Sequence, residues 1–181
     1  MEREEVRLNR SSFVVLGLLK WLGEATPYEL KRFLEKSVEN FWPVPHTTFY
    51  AEPARLAQGG YLSERQEPTG RRRRTYALTD KGAKALEEWV AEPEIAPPQL
   101  RDEGMLKVFM GADPIPVLAA RRRWHEAKLE ELQGYLASAG ESAPEGPRLS
   151  LLAGIEYHRL MLEAVAGFLE GAGAEHSEAV P

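Results

Sequence analysis

The chain has 181 residues, 43% hydrophobic and 28% charged, with a formal net charge of -5. That suffices for one domain or two small ones, and the balance is that of a folded soluble protein, not a disordered one. With no cysteine, disulfides and thiolate metal sites are excluded.

The start, MEREEVRLNR, mixes charges and is unlike a signal peptide. The apolar run after it holds Lys20 and is far short of the ~20 residues a membrane span needs, so a cytoplasmic protein is expected. Residues 11–22, SSFVVLGLLKWL, are apolar nearly all round and predict a central helix opened by two serines able to cap. GEATPYELKRFLEKS predicts a second helix, with Thr26 as N-cap, Pro27 at the first position and Glu29 closing a capping box. Leu30, Phe33 and Leu34 then form its apolar stripe.

After a loop ending in WPVP, HTTFYAEPARLAQGGYL predicts a third helix stopped by Gly59-Gly60. Pro53 removes one internal hydrogen bond and crowds the preceding turn, so a kink or a displaced first turn is expected. YLSERQ and RRTYAL predict two short strands around the turn EPTG, and Thr79-Asp80 opens a helix with Ala83, Leu86 and Val90 on one face. Three helices, a hairpin and a fourth helix make a winged helix-turn-helix, whose third helix can enter a DNA major groove.

Charge is uneven. Residues 1–90 carry 15 Lys and Arg against 13 Asp and Glu, a net of +2, whereas residues 91–181 carry 8 against 15, a net of -7. Four consecutive arginines, Arg71, Arg72, Arg73 and Arg74, stand at the hairpin tip, where they cannot pack inward. Like charges so placed need solvent or an anion, and a planar guanidinium suits phosphate oxygens. Tyr28, at the start of the second helix, can meet another phosphate. His46, Thr47, Thr48 and Tyr50 fall in the predicted first turn of the third helix, where base edges are read, although capping alone could explain the threonines. Double-stranded DNA is the expected partner.

The stretches VVLGLL, TPYELK, TTFYAEPARLAQGGYL and RRTYALTDKGAKAL resemble the PadR family of transcriptional regulators, closely over residues 12–90 and in outline beyond. Pro53 departs from the plain apolar residue that many members carry. The resemblance implies a homodimer joined through C-terminal helices on a near-palindromic operator, and a repressor is the expected role. Since some relatives bind aromatic or drug-like molecules at the dimer interface, it also implies a possible small aromatic effector.

The second half begins with a proline- and acid-rich linker, residues 91–100. RDEGMLKVFM predicts a short helix, and Asp113-Pro114 opens a long one with Leu118, His125, Leu129, Leu132 and Leu136 on one face. Its Arg121, Arg122 and Arg123 are expected to be solvated or ion-paired within the domain. AGESAPEGP breaks the pattern, and a last helix follows over 148–170. That helix is apolar over more than half its circumference, so Leu152, Ile155, Leu162, Val165 and Leu169 are the expected dimer contacts. Trp124, Tyr135, Tyr157 and Phe168 are the candidates for lining an effector pocket, against the plainer reading of core aromatics. Residues 171–181 are expected to be a disordered tail.

The expected architecture is therefore mostly α with a small β-hairpin wing: a winged helix-turn-helix over 1–90 and helical dimerisation over 101–170. The four histidines are scattered, no catalytic motif is present, and no cofactor or metal is expected. The alternative is a winged-helix protein-interaction module without DNA binding, which would have no need of a basic wing.

Overall fold

The computed structural model describes residues 6–39, 41–68, 72–140 and 144–178, with side chains to residue 171. The chain divides into two compact units between Ala96 and Pro97.

In the first unit, α1 (Arg10–Leu22) is capped by Asn9 and not by the serines at 11 and 12 themselves. Asn9 Oδ1 accepts the Ser12 N–H at 3.0 Å, and Ser12 Oγ accepts the Asn9 N–H at 2.9 Å, so Ser12 closes a capping box. Gly23, at φ 74°, ends the helix in a conformation that a side chain would oppose. The two-residue strand β1 (Glu24–Ala25) follows, then α2 (Pro27–Glu35), on which Thr26 and Glu29 form the expected capping box. α3 is Thr48–Gln58, β2 is Leu62–Gln66, β3 is Arg74–Leu78 and α4 is Asp80–Ala91. β3 pairs antiparallel with both β2 and β1, giving the order β1-β3-β2. The wing is therefore a three-stranded sheet. Two residues carry no periodicity, so β1 was invisible to a hairpin reading.

Val15, Leu16, Leu19, Leu30, Leu34, Phe49 and Leu56 are buried between the helices, and Tyr76 and Leu86 close the core from β3 and α4. Each such side chain contributes roughly 1.5–3 kcal/mol by leaving water. Val90, expected on the inner face of α4, is exposed instead. Gly82 is required at the start of α4, because a Cβ there would overlap the Tyr61 carbonyl oxygen.

The second unit contains α5 (Glu103–Phe109), α6 (Pro114–Ala139) and α7 (Glu145–Glu178). Asp102 caps α5 by accepting the Met105 N–H at 3.0 Å, and its carboxylate pairs with Arg121 of α6. Leu132, Leu151 and Ile155 form a small core, flanked by Leu129, Tyr135 and Leu136. Gly154 lets α6 approach closely, since a Cβ would stand 3.2 Å from Leu132 Cδ1. α7 continues to Glu178, so most of the residues expected as a tail fall on its last turns.

Two of the five expected dimer contacts are corrected by this packing. Ile155 and Val165 are buried within the unit itself, whereas Leu152, Leu162 and Leu169 are only half-buried. The apolar surface left on α7 is carried by Leu149, Tyr157, Leu160 and Phe168. An apolar stripe wider than one helix contact cannot show from sequence alone which half goes inward.

Candidate nucleic-acid interface

The turn that enters α3 is built unusually. The N–H groups of Thr48, Phe49 and Tyr50 donate to the carbonyls of Pro45, His46 and Thr47, a tight i to i−3 pattern at 2.9, 3.2 and 3.2 Å. Regular α-helix begins only at Thr48, so His46 and Thr47 stand just before the helix, not within its first turn. Pro53 lies inside α3 and has no N–H to give the Phe49 carbonyl. α3 is continuous through Pro53, and its regular turns begin at Thr48.

This entry turn faces solvent. His46, Thr47 and Tyr50 are exposed, Tyr50 to 63%, and Thr48 is half-buried. Thr47 occupies the N-cap position but makes no side-chain cap hydrogen bond. Its hydroxyl is therefore not consumed by helix capping, which removes that explanation for its presence. His46 Nε2 lies 3.7 Å from Glu39 Oε1.

On the wing, Arg71 lies outside the described residues. Arg72 and Arg73 are exposed, and their backbone carbonyls accept hydrogen bonds from Gln66 Nε2 (3.3 Å) and the Glu67 N–H (3.0 Å). Arg72 has φ 48°, a left-handed conformation costing a non-glycine residue about 1 kcal/mol. Arg74 pairs with Glu64 at 3.4 Å, and Arg65 on the neighbouring strand pairs with Glu24 at 2.7 Å. Hydrogen bonds from Thr75 and Arg65 hold the Glu24 carboxyl below its ordinary range. The cations at 65 and 74 are thus partly neutralised within the sheet, whereas those at 72 and 73 project at the tip.

Tyr28 is exposed at the second position of α2. Glu29 beside it is held below its usual range by the Thr26 backbone and side-chain hydrogen bonds, with a smaller contribution from the Arg73 charge. The wing cation is therefore felt at the start of α2. Exposed hydroxyls at 28, 47 and 50, with guanidinium groups at 72 and 73, provide donors for phosphate and base edges.

Residues 15–88 match the model of the transcriptional regulator PadR-like family. The chain is 27% identical over 129 residues to the negative transcriptional regulator PadR of Bacillus subtilis (strain 168), covering 67% of this chain and 70% of that one. The crystal structure of Bacillus subtilis PadR in complex with operator DNA is similar at TM-score 0.76 and 23% identity, over 91% of this chain and 98% of that one. The PadR-like transcriptional regulator of Bacillus cereus gives TM-score 0.79 at 20% identity, over 92% and 99%. Bacillus subtilis PadR in complex with p-coumaric acid gives TM-score 0.71 at 22% identity, again over 92% and 99%.

Over residues 15–88 the chain is similar to the PadR-like family.

The four candidate effector residues do not converge. Trp124 and Tyr157 flank a buried pair, His125 and His158, with Trp124 at 4.8 and 5.4 Å between ring centroids and Tyr157 at 6.1 and 5.2 Å. Tyr135 packs beside the Leu132 core and donates its hydroxyl to Glu131 at 2.7 Å. Phe168 lies 11 residues beyond Tyr157 on α7, about 16 Å along the helix axis, and is 60% exposed.

The histidine pair is what sequence reading missed. His125 sits on the predicted apolar face of α6, but nothing in the sequence pointed to His158, 33 residues away. Their Nδ1 atoms are 2.8 Å apart, so one ring donates to the other and both cannot carry a proton there. His125 Nε2 is buried with no hydrogen-bond partner among the described residues. Burial, then the neighbouring His158 and the Arg121 charge, push the His125 pKa down to about 4; burial and Lys128 lower that of His158. The pair is a neutral, desolvated element of the α6–α7 contact. Arg121 and Arg122 are ion-paired within the unit, to Asp102 and Glu126, as expected of that cluster. Among the described residues, no group of three or more His, Asp or Glu gathers as a metal site, and no helix is long and apolar enough to cross a membrane.

Proposed function

We propose that this PadR-like regulator is a cytoplasmic homodimeric repressor that binds a near-palindromic operator. The first unit reads DNA, residues 91–100 connect, and the helices of residues 101–170 dimerise. Thr47, Thr48, His46 and Tyr50 meet base edges or the adjoining backbone, while Tyr28 and the wing arginines Arg71–Arg74 meet phosphates. Arg72 and Arg73 make the larger contribution, because Arg74 is shared with Glu64. The observation that carries this reading is the exposed, uncapped Thr47 turn in the same unit as a wing whose Arg72 and Arg73 are exposed. The Bacillus subtilis relative was crystallised with operator DNA, which supports it.

The reading extends to an aromatic carboxylate effector at the second unit, where Trp124 and Tyr157 offer ring faces; p-coumaric acid in that same relative supports the class. The role is regulatory and not catalytic. The test is enrichment of duplexes from a random-sequence library by the full-length protein, followed by sedimentation of the complex. Convergence on a two-fold related sequence, with two protomers per duplex, is the expected result. Failure to enrich any sequence would favour the protein-interaction alternative.

A further inference from the structure

α3 carries a carboxylate that its apolar face does not need. Glu52 is only 9% exposed and sits one turn beyond Thr48, on a helix whose neighbouring inward residues, Phe49, Pro53 and Leu56, are apolar. Ser12 Oγ donates to Glu52 Oε1 at 2.6 Å, from the fully buried position that also closes the α1 capping box with Asn9. Arg55, one turn further on, donates Nε to Glu52 Oε2 at 2.9 Å and Nη2 to Oε1 at 2.5 Å. Its Nη2 also reaches Ser12 Oγ at 3.0 Å, and its Nη1 reaches the Arg7 carbonyl at 2.9 Å. The carboxylate is thus tied directly to Ser12 at the start of α1 and, through Arg55, to Ser12 again and to the segment before α1. Burial alone would raise the Glu52 carboxyl, but the Arg55 and Ser12 hydrogen bonds and the Arg55 charge outweigh it and keep it ionised.

Such a network is a poor way to gain stability, since well-packed apolar groups do as well or better in place of a buried ion pair. What it supplies is direction. Apolar packing through Phe49 and Leu56 is non-directional and resists sliding or rotation of α3 only through shape. The entry turn of α3 is also weakly held: three of its bonds are i to i−3, the i to i−4 bond from the Ala51 N–H to the Thr47 carbonyl is long at 3.4 Å, Thr47 gives no cap, and Pro53 has no N–H for the Phe49 carbonyl. Glu52 lies between that turn and the rigid start of α1, and a helical side chain leans toward the turn preceding its own Cα.

We propose that Glu52 is a positioning residue for DNA reading, holding α3 through Ser12 and Arg55 at the one rotation and depth that brings Thr47, Thr48 and Tyr50 to base edges in register. This rests on the DNA-binding function proposed above. Hydrogen-bond readout is steep in geometry, so a small rotation costs sequence preference while leaving phosphate contacts nearly intact.

The test uses full-length protein, the duplex it enriches from a random library and a shuffled duplex of the same composition. In the apolar double variant Ser12→Ala/Glu52→Met, Arg55 can turn to solvent and apolar packing replaces the ion pair, so the melting temperature should fall by only a few degrees, from the lost Ser12–Asn9 capping bond. The preference for the enriched over the shuffled duplex should nevertheless fall roughly tenfold, within the range of a lost base contact. Affinity for the shuffled duplex and the salt slope should stay unchanged. Glu52→Gln, which keeps shape but loses the charge, should show the same split more weakly, and carries the test if the double variant does not fold. A folded dimeric variant that keeps its preference, or that loses affinity equally on both duplexes, would overturn the proposal. A wild type that distinguishes no duplex would overturn the DNA-reading function and this role with it.

Discussion

The two units bury apolar surface in different ways. The first closes its own core: fourteen buried apolar residues from all four of its helices and its sheet form one cluster, and its exposed residues include the polar turn and the cationic wing. The second builds a core of three buried residues between α6 and α7, while large apolar side chains on α5 and α7, such as Phe109, Leu160 and Phe168, stay exposed. A unit that leaves so much apolar area in water is incomplete as a protomer, and the chemistry it lacks is more of the same. This contrast supports the proposed division, in which the first unit meets an anion and the second meets another copy.

The largest expected effect comes from charging the second unit's open face. Leu160→Glu/Phe168→Glu should weaken dimerisation by at least about a hundredfold, since two buried side chains contribute roughly 3 kcal/mol or more together. Sedimentation should show monomers at micromolar concentration with unchanged helix content. A dimer of undiminished affinity would place the contact elsewhere.

For the first unit the sharpest break is Gly82→Ala. The added methyl meets the Tyr61 backbone, which cannot move aside as a side chain would, so about 3 kcal/mol should be lost despite the better helix propensity of alanine. Urea unfolding followed by Trp89, with the other tryptophans replaced, would measure it. Stability unchanged within error would mean that α4 can shift on the sheet.

A smaller effect separates the units by pH. His125 has its folded pKa pushed below the unfolded value, to about 4, so the neutral form is the stabilised one. Its contribution is complete above about pH 6.5 and is lost as pH falls through 6.5 toward 4, amounting to about 2 kcal/mol between pH 7 and pH 5. Trp124, against both imidazoles, is the natural local probe of urea unfolding. The pH dependence should be reduced in His125→Phe; an unaltered profile would show that other groups carry it.

How much of this was legible in the sequence follows the same division. Three of the four helices of the first unit were readable from their own punctuation: Thr26-Pro27-Glu29, Gly59-Gly60 and Thr79-Asp80 are local signals that tertiary contacts did not override. The Arg run was placed at the hairpin tip because like charges cannot pack inward, and Arg72 and Arg73 stand exposed there. β1 was not, since its two residues are strand only by virtue of Tyr76 and Ala77 opposite. In the second unit, helix spacing located α6 and α7 but not the rotation of α7, so Ile155 and Val165 were assigned outward when they point inward. Long-range polar pairings were invisible throughout: Ser12 with Glu52 across 40 residues, and His125 with His158 across 33, have no signature in local spacing.

The central claim, that the first unit's cations meet phosphate, is tested most directly by the salt dependence of DNA binding when Arg71–Arg74 are all replaced by alanine. Counterion release assigns about 0.9 to the slope of log affinity against log salt for each phosphate neutralised. With Arg74 engaged by Glu64, about two contacts per protomer and four per dimer are expected, so the magnitude of the slope should fall by about 3 to 4 on operator and random duplex alike. A folded, dimeric variant with an unchanged slope would contradict the account, because the arginines would then be meeting something other than DNA.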